Sequence, residues 1–317
     1  MTLLQLEYAL ELNRIGSFNR AAKNIGISQP GLSLQIRKLE EEIGLTLFDR
    51  SQKKIKTTPK GALFLEKAQL ILTQTKQLKE LALQLSEEYS GQLTIGIIPT
   101  LAPYLLPLFI QKLNDQFPKL TIHVNEVVTE EIIQGIKEGK FDAGIIATPI
   151  ESTITLTTKP LFYEGFELFV SNLHDLYASE EIEVDKIPPK DIWLLKEGNC
   201  LRNQVDDICS LNQKKSTSSS SFYFESNSIE SLCRIVEYKG GITILPELTT
   251  LHFDSEREPM IKKLAGPRRV REISIIHLPN HVRKEIIDAI GELIKKSVPK
   301  KLLSKENSDL IHTSVIV

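Results

Sequence analysis

Apolar residues recur at helical spacing through the first 45 residues of the chain. Every third or fourth position is apolar over residues 3–12, and a second short run with the same period covers residues 17–24. A third helix is predicted over residues 29–43, because Ser28 is a favoured helix N-cap and Gly44 is a favoured residue just beyond a helix C-terminus. The pattern therefore predicts a bundle of three short helices.

The third predicted helix has an apolar face and a polar face. Its inward positions are Leu32, Ile36 and Leu39. Its N-terminal and outward positions are Gln29, Pro30, Ser33 and Arg37. Short polar side chains at the N-terminus of such a helix can reach base edges in the major groove of DNA. This face is therefore a candidate DNA-binding surface.

A short basic segment follows the third helix. Residues 48–57 predict a small wing whose basic residues are Arg50, Lys53, Lys54 and Lys56. Lysines on a loop attract phosphates without regard to sequence. Helices followed by such a wing are typical of winged helix-turn-helix domains, so we predict that this chain binds DNA and regulates transcription.

An unbroken helical pattern begins after Thr58 and runs to about residue 88. At 1.5 Å per residue this helix is a rod of about 45 Å. Its apolar positions are Leu63, Leu65, Leu70, Leu72, Leu78, Leu81 and Leu85. A lone helix with an apolar stripe of this length needs a partner helix, so the rod predicts a dimer.

Beyond residue 91, strand and helix patterns alternate, which predicts an α/β fold with a parallel sheet. The first subdomain has strand candidates over residues 93–98, 120–127 and 141–147 and helices over 101–116 and 130–139. A second has strand candidates over 166–170, 192–195 and 222–225 and helices over 200–211 and 228–238. Residues 273–278 and 282–296 would return to the first subdomain, and the tail after Pro299 would be frayed.

Composition and charge narrow the class of protein. The 317 residues exceed what one hydrophobic core usually serves, which predicts two or more domains. There is no run of eighteen apolar residues and no signal-peptide pattern at the N-terminus, so we expect a cytoplasmic protein. Residues 1–60 carry ten basic and six acidic residues, a net charge of +4, which leaves −6 on the rest of the chain. A basic end on an acidic body favours contacts with phosphates.

Four motifs near the N-terminus resemble the LysR-type transcription regulators. They are residues 17–22 (SFNRAA), 28–33 (SQPGLS), 36–40 (IRKLE) and 44–50 (GLTLFDR). The resemblance implies a winged helix-turn-helix DNA-binding domain over residues 1–58, a dimerising linker helix over 59–89 and a two-lobed regulatory domain similar to periplasmic binding proteins over 90–300. Lobe I would cover about 90–162 and 269–300, lobe II about 163–268, and a flexible tail 301–317.

The same resemblance implies how DNA is bound. Gln29, Pro30 and Ser33 would lie in the major groove, and Arg50 with the wing lysines would contact phosphates or the minor groove. The family also implies a tetramer built from two DNA-binding pairs, a pseudo-palindromic promoter site and, for an activator, contact with RNA polymerase.

The cysteines provide a second candidate site. Cys200, Cys209 and Cys233 are too few and too clustered for a disulfide framework or a four-ligand zinc site, and we expect neither a metal nor a cofactor. Cys200 opens a predicted helix, where the helix dipole and Arg202 would both favour a thiolate. Peroxide oxidises a thiolate to a sulfenic acid, which condenses with a second thiol. The alternative is that Cys200 and Cys209 are buried, inert small hydrophobes.

The spacing of Cys200 and Cys209 has a structural consequence. If residues 200–209 are helical, the two Cα atoms are about 13 Å apart, whereas a disulfide needs them within about 7 Å. A bridge must therefore unwind the helix. That requirement makes the pair a candidate bistable element, in which a local covalent change forces a larger rearrangement.

Residues around the cysteines resemble OxyR, the hydrogen-peroxide-sensing group of LysR-type activators. The matching segments are Gly198-x-Cys200-Leu201-Arg202-x-Gln204 with Cys209, Thr129, and residues 98–100, 103–107, 117–120 and 241–246. The resemblance implies that Cys200 is the peroxidatic cysteine and Cys209 resolves it, and that the peroxide site includes Thr100, Thr129 and Arg202. Each threonine also follows a predicted parallel strand, at the edge where open α/β sheets bind ligands, although either hydroxyl could instead cap a helix.

Two residues depart from the pattern of this group. Many of its members have histidine where Asn199 and Tyr223 stand, and neither side chain here can act as a base at neutral pH. Activation of the thiolate would then depend on Arg202 and the helix terminus. Cys233 lies on an apolar-periodic helix and is most simply a core residue.

Two other functions remain open from the sequence. The first is a LysR-type regulator whose crevice between the lobes binds a small metabolite, with the cysteines incidental. The second is a thiol peroxidase. The predicted DNA-contacting helix over residues 29–43 (the recognition helix) and the long helical rod make this function less consistent with the sequence, because a peroxidase needs neither.

Overall fold

The computed structural model describes residues 1–50, 55–84, 90–209, 226–306 and 308–311. The chain divides into two compact units, Met1–Ser86 and Glu87–Val317. Among the described residues no helix is long and apolar enough to cross a membrane.

The first unit consists of three short helices, a two-stranded wing and a long helix. Its elements are α1 (Leu3–Ile15), α2 (Phe18–Asn24), α3 (Gln29–Ile43), β1 (Phe48–Asp49), β2 (Lys56–Thr57) and α4 (Pro59–Gln84). β1 and β2 pair antiparallel. Leu65 and Ala68 of α4 close the core that the three short helices form. The three predicted helices and the wing are confirmed.

Helix α3 has the bounds that its capping residues predict. The Ser28 hydroxyl accepts a hydrogen bond from the Gly31 N–H at 3.2 Å. At the other end Gly44 adopts the left-handed conformation, with φ of 66°, which glycine tolerates without strain. The inward residues Leu32, Ile36 and Leu39 are all fully buried, as predicted.

Helix α4 begins where Thr58 caps it and continues to Gln84, the last described residue of the segment. The Thr58 hydroxyl accepts a hydrogen bond from the Gly61 N–H at 2.9 Å. Its 26 residues correspond to about 39 Å. Large apolar side chains remain exposed along it, namely Leu63, Leu70, Ile71 and Leu78. Part of the apolar stripe is therefore left uncovered by the described residues of the first unit.

The second unit is an α/β structure built on two long strands. Its helices are α5 (Ala102–Gln116), α6 (Thr129–Lys137), α7 (Cys200–Cys209), α8 (Ile229–Lys239), α9 (Glu247–Thr250) and α10 (Lys284–Ser297). Its strands are β3 (Gly91–Ile97), β4 (Leu120–Glu126), β5 (Ala143–Thr148), β6 (Thr157–Val170), β7 (Glu181–Ile182), β8 (Ile242–Pro246), β9 (Ile261–Leu264), β10 (Arg268–His277) and β11 (Ser308–Leu310).

The long strand β6 connects two lobes. In lobe I, β3 pairs in parallel with β4 and β5, and β10 runs antiparallel between β5 and β6. The last five residues of β6 instead pair with β8 and β9 of lobe II. Each lobe has its own apolar core. The predicted two-lobed α/β fold is confirmed. Its sheet is mixed instead of parallel, because β10 runs antiparallel to β5 and β6 while β3 runs parallel to β4 and β5.

Two predicted strands of lobe II and the predicted flexible tail differ in how they compare with the structure. The strand predicted over 192–195 is wrong: only Ile192 makes a bridge, to Ile242, before the chain turns towards α7. The strand predicted over 222–225 lies outside the described residues. The flexible tail predicted from residue 301 is wrong for 301–306 and 308–311, because Leu302 is buried in the core of lobe I and β11 pairs with β10.

Candidate functional site

The outer face of α3 presents the predicted base-contacting residues together. Gln29, Pro30 and Arg37 are exposed and Ser33 is partly buried. Gln29 and Pro30 are the first two residues of α3, and Ser33 and Arg37 follow Gln29 at successive four-residue steps along the helix. Lys53 and Lys54 of the predicted wing lie outside the described residues.

Arg50 has a structural role that the sequence did not indicate. Its guanidinium forms an ion pair with Glu40 of α3 at 2.6 Å and lies 5.3 Å from the centre of the Phe18 ring. The other carboxylate oxygen of Glu40 accepts hydrogen bonds from the N–H groups of Leu47 and Phe48, at 2.7 and 3.1 Å. Arg50 therefore helps to fix the start of the wing against the recognition helix.

The thiol of Cys200 is buried at the first residue of α7. Gly198, with φ of 86°, turns the chain into the helix, and the Asn199 side-chain oxygen accepts a hydrogen bond from the Leu201 N–H at 3.3 Å. Only 3% of Cys200 is exposed. Its Sγ atom lies 3.0 Å from the Thr129 hydroxyl, within hydrogen-bond distance. The structure thus brings Cys200 and Thr129 together across 71 residues of sequence.

The two predicted threonines do not cap helices through their side chains. Val128 occupies the N-cap position of α6, and the Thr129 hydroxyl contacts Cys200 instead. Thr100 follows β3, and its hydroxyl accepts a hydrogen bond from Arg271 Nη1 at 3.1 Å. Both threonines are 1% exposed. The capping alternative is therefore wrong for both.

Arg271 was missed by the sequence analysis. It lies on β10, is fully buried and forms an ion pair at 2.8 Å with Glu164 of β6, which is also fully buried. Glu164 accepts a further hydrogen bond from the Leu248 N–H at 3.1 Å. The charged run 268–272 kept the predicted strand from starting before residue 273. The available signal was weak, because Glu164 shares its segment with Glu167 and Arg271 stands in a run in which four of five residues are charged. Their mutual pairing explains why both can be buried.

The surroundings of Cys200 raise the pKa of its thiol, whereas the sequence predicted that they would favour the thiolate. Burial raises the pKa of the Cys200 thiol above its usual value, and the charge of Glu130 adds to this. The Thr129 hydrogen bond and the charge of Arg271 lower the pKa, but less than burial raises it. The predicted activation by Arg202 is wrong in this structure, because its guanidinium donates to the Leu195 carbonyl at 3.0 Å and approaches Asp206 at 3.5 Å.

The other two cysteines lie in the core of lobe II. Cys209 is the last residue of α7 and is 2% exposed. Because α7 is intact, the Cα atoms of Cys200 and Cys209 are about 13 Å apart, and none of the three cysteines is in a disulfide. Cys233 is fully buried, as predicted for a core residue, and burial raises its pKa to about 12.

Buried amide groups without partners lie near the Cys200 thiol. Gln204, one helical turn along α7, is fully buried, and neither of its amide atoms has a hydrogen-bond partner among the described residues. The same holds for the side-chain nitrogen of Asn199. Such groups are normally satisfied by protein, water or ligand. Asn199 also lines the cleft at Cys200, so its side-chain nitrogen is a donor available to a small polar molecule there.

The cleft that reaches Cys200 is narrow. It is lined by Ile98, Pro99, Val128, Thr129, Gly198, Asn199 and Cys200, and it leaves no space for a water-sized sphere in this conformation. Among the described residues, no group of three or more histidine, cysteine or acidic side chains is placed to hold a metal ion.

Comparison with known proteins gives a consistent result over nearly the whole chain. Residues 3–62 match the family model of the bacterial regulatory helix-turn-helix protein, lysR family, and residues 86–299 match the LysR substrate binding domain. A hydrogen peroxide-inducible genes activator of Haemophilus influenzae is 32% identical over 298 residues, covering 94% of this chain and 97% of that protein. The DNA-binding transcriptional dual regulator OxyR of Escherichia coli K12 is 33% identical over 295 residues, covering 93% and 95%.

A solved structure agrees with these relatives. Full-length OxyR from Pseudomonas aeruginosa, with one cysteine replaced by aspartate, is 29% identical, with a TM-score of 0.72 and coverage of 93% of this chain and 95% of that one. These relatives are transcription regulators, not enzymes. The thiol peroxidase alternative is therefore not supported.

Proposed function

Because this chain belongs to the LysR family of bacterial transcription regulators, we propose that it activates oxidative-stress genes and senses hydrogen peroxide by forming a Cys200–Cys209 disulfide. The observation that carries the proposal is the buried Cys200 thiol, which lies 3.0 Å from Thr129 at the start of a helix that ends in a second cysteine.

The proposed chemistry has two steps. The Cys200 thiolate attacks one oxygen of hydrogen peroxide, the S–O bond forms as the O–O bond breaks, and the departing hydroxide takes up a proton to become water. The Cys209 thiol, after losing its proton, then attacks the sulfenic sulfur, so that the S–S bond forms and a second water leaves. Two thiols are oxidised and one peroxide is reduced to two waters.

Three groups are assigned supporting roles in the first step. The Thr129 hydroxyl donates to the thiolate, which favours the reactive form. Arg271, held by Glu164 and Thr100, supplies positive charge where the leaving oxygen develops negative charge. Gln204 offers a buried amide donor and acceptor to the peroxide. We assign Arg202 a structural role, because its guanidinium donates to the Leu195 carbonyl and so connects α7 to the preceding loop.

The narrow cleft favours peroxide over a metabolite. Small-molecule sites usually enclose about 300–1,000 Å³. The cleft at Cys200 leaves no space for a water-sized sphere, so a metabolite would need a much larger displacement of its walls than hydrogen peroxide, which has two heavy atoms. The cleft at Cys200 therefore suits hydrogen peroxide better than a metabolite.

DNA recognition and assembly complete the proposal. Gln29, Pro30, Ser33 and Arg37 would contact the major groove. The exposed apolar residues of α4 would pack against a second copy, and two such dimers would form a tetramer that contacts RNA polymerase at the promoter. Since bacterial promoter DNA lies in the cytoplasm, the protein would act there.

The test compares Cys200→Ser with Cys233→Ser, which removes a buried thiol from the same lobe. Promoter binding is expected in both, measured by footprinting of reduced protein. Peroxide-dependent transcription should be lost in Cys200→Ser and kept in Cys233→Ser, with the disulfide followed by mass spectrometry. An unchanged peroxide response in Cys200→Ser would contradict the proposal.

A further inference from the structure

A second cavity lies in the regulatory unit beside the C-terminal turn of α7. It encloses about 240 Å³, and its walls include Arg269 of β10, Lys263 of β9 and Ile208 of α7. The turn through Gly266, with φ of 98°, and Pro267 forms part of its rim. None of these residues lines the narrow cleft at Cys200.

Arg269 places one buried guanidinium nitrogen at the wall of this cavity. Its Nη1 atom is buried and makes no hydrogen bond among the described residues. Asp309 is its register partner on β11, yet no ion pair forms between the two. A buried N–H without an acceptor is unfavourable by an amount similar to a lost hydrogen bond, and more for a charged group. An acceptor from outside the described part of the chain would therefore stabilise this Nη1 atom.

The other charges around the cavity leave a positive balance. Glu247 is already paired, with Arg268 at 3.0 Å and with Lys301 at 2.6 Å. Glu167 accepts a hydrogen bond from the Thr250 hydroxyl at 2.5 Å, and burial raises the pKa of its carboxyl. Among the described residues, the lining cation Arg269 forms no ion pair, while Lys263 lies opposite Glu167 in the sheet and its charge acts to lower the pKa of that carboxyl. The cavity is thus lined both by cationic donors and by the apolar side chains of Ile208, Phe166 and Leu264.

We propose that this cavity binds a small oxyanion, phosphate or a small carboxylate, through Arg269 and Lys263. A water molecule occupies about 30 Å³ in the liquid, so the space corresponds to roughly eight waters and suits an anion of a few heavy atoms. A planar guanidinium is the side chain best matched to a bidentate oxyanion.

The site touches the helix that carries the cysteines. Ile208 immediately precedes Cys209, so an anion seated against it would hold the last turn of α7 in place. The consequence for redox sensing rests on the proposed function, because only there must α7 unwind to form a bridge. A bound anion would then slow the closure of Cys200 onto Cys209.

Binding is tested by calorimetry on the reduced full-length protein without DNA. Sodium phosphate and sodium succinate are titrated separately at constant ionic strength, which distinguishes an inorganic anion from a carboxylate. Saturable binding of one of them should weaken at least tenfold in Arg269→Gln and stay within twofold in Lys239→Gln, which removes an exposed charge from α8. Absence of saturable binding of both anions, or equal affinity in Arg269→Gln, would overturn the proposal.

Thermal unfolding distinguishes an anion-binding role of Arg269 from a purely structural one. In anion-free buffer Arg269→Met should melt at or above the temperature of the unaltered protein, because it removes a guanidinium whose buried Nη1 has no acceptor among the described residues. A lower melting temperature would show that Arg269 has a structural partner and would overturn the site.

The coupling to α7 is tested by measuring the rate at which peroxide forms the Cys200–Cys209 disulfide. Saturating anion should lower this rate at least threefold in the unaltered protein. In Arg269→Gln the anion should leave the rate unchanged. An unchanged rate with intact binding would refute the coupling. A chain that forms no disulfide at any anion concentration would contradict the proposed function and leave the binding result standing.

Discussion

Replacing Thr129 with valine tests how the site controls the reactivity of Cys200. The substitution keeps the shape of the side chain and removes the hydroxyl that lies 3.0 Å from Sγ. A hydrogen bond to a charged group contributes about 1.5–3 kcal/mol, and one pKa unit corresponds to about 1.4 kcal/mol. Sulfur is a weak acceptor, so the low end applies, and the pKa of Cys200 should rise by about one unit.

The expected effect on rate follows from the fraction of thiolate. The pKa of Cys200 is already above its usual value, so at pH 7 the thiolate is a small minority that falls about tenfold for each further unit. The second-order rate constant with hydrogen peroxide should therefore drop about tenfold at pH 7. Both proteins should react about tenfold faster for each pH unit gained below the pKa, and the Thr129→Val profile should be displaced to higher pH by about one unit.

The assay is rapid quenching and mass spectrometry of Cys200 between pH 6 and pH 10. Thr129→Ser should restore the profile because it restores a hydroxyl, and Thr121→Val, on the exposed side of β4, should leave it unchanged. Superimposed profiles for Thr129→Val and the unaltered protein would refute the reasoning. So would a lower rate at every pH without displacement, since that result would place Thr129 on the peroxide instead of the thiolate.

Three further predictions test the buried pair, the resolving cysteine and the wing. Arg271→Met should destabilise the regulatory unit by about 3–5 kcal/mol in denaturant unfolding because Glu164 stays buried without its partner, and adding Glu164→Gln should recover most of the loss; no recovery would argue against the pair. Cys209→Ser should let Cys200 reach a sulfenic acid that a trapping reagent captures, whereas an intramolecular disulfide in that variant would assign the resolving role elsewhere. Arg37→Gln should lower the ratio of specific to non-specific DNA affinity about tenfold, while Arg50→Gln, whose partner is Glu40, should leave that ratio unchanged; equal ratios for both would contradict this distinction.

The DNA-binding unit was predictable because its determinants are local. Ser28 and Gly44 define both ends of α3, and each acts on backbone within a turn of itself. The buried positions of α3 follow from a 3.6-residue period over a single helix. Nothing distant in the sequence is needed to predict these features, so the bounds of the recognition helix agree with the structure.

The regulatory site was only partly predictable because its determinants are remote. The motif around Cys200 and the ends of two parallel strands indicated Thr100 and Thr129. Arg271 and Glu164 are 107 residues apart, and each would be read alone as a solvated charge in a strand. Which cation acts on Cys200 depends on how β6 and β10 pair, a fact that sequence spacing does not contain. Arg202 was chosen because it is close in sequence, yet its guanidinium is used by Leu195 and Asp206.

The burial of α7 bears on whether the proposed switch can be reset. A Cys200–Cys209 bridge requires the helix to unwind, which would withdraw buried side chains such as Ile208 from the core of lobe II. Exposing one such side chain is unfavourable by about 1.5–3 kcal/mol. For a two-electron couple about 1.4 kcal/mol corresponds to 30 mV, so each side chain exposed would raise the reduction potential of the disulfide by about 30–60 mV. The packing that holds the reduced helix together thus makes the bridge easier to reduce, which a reversible sensor requires and a structural disulfide does not.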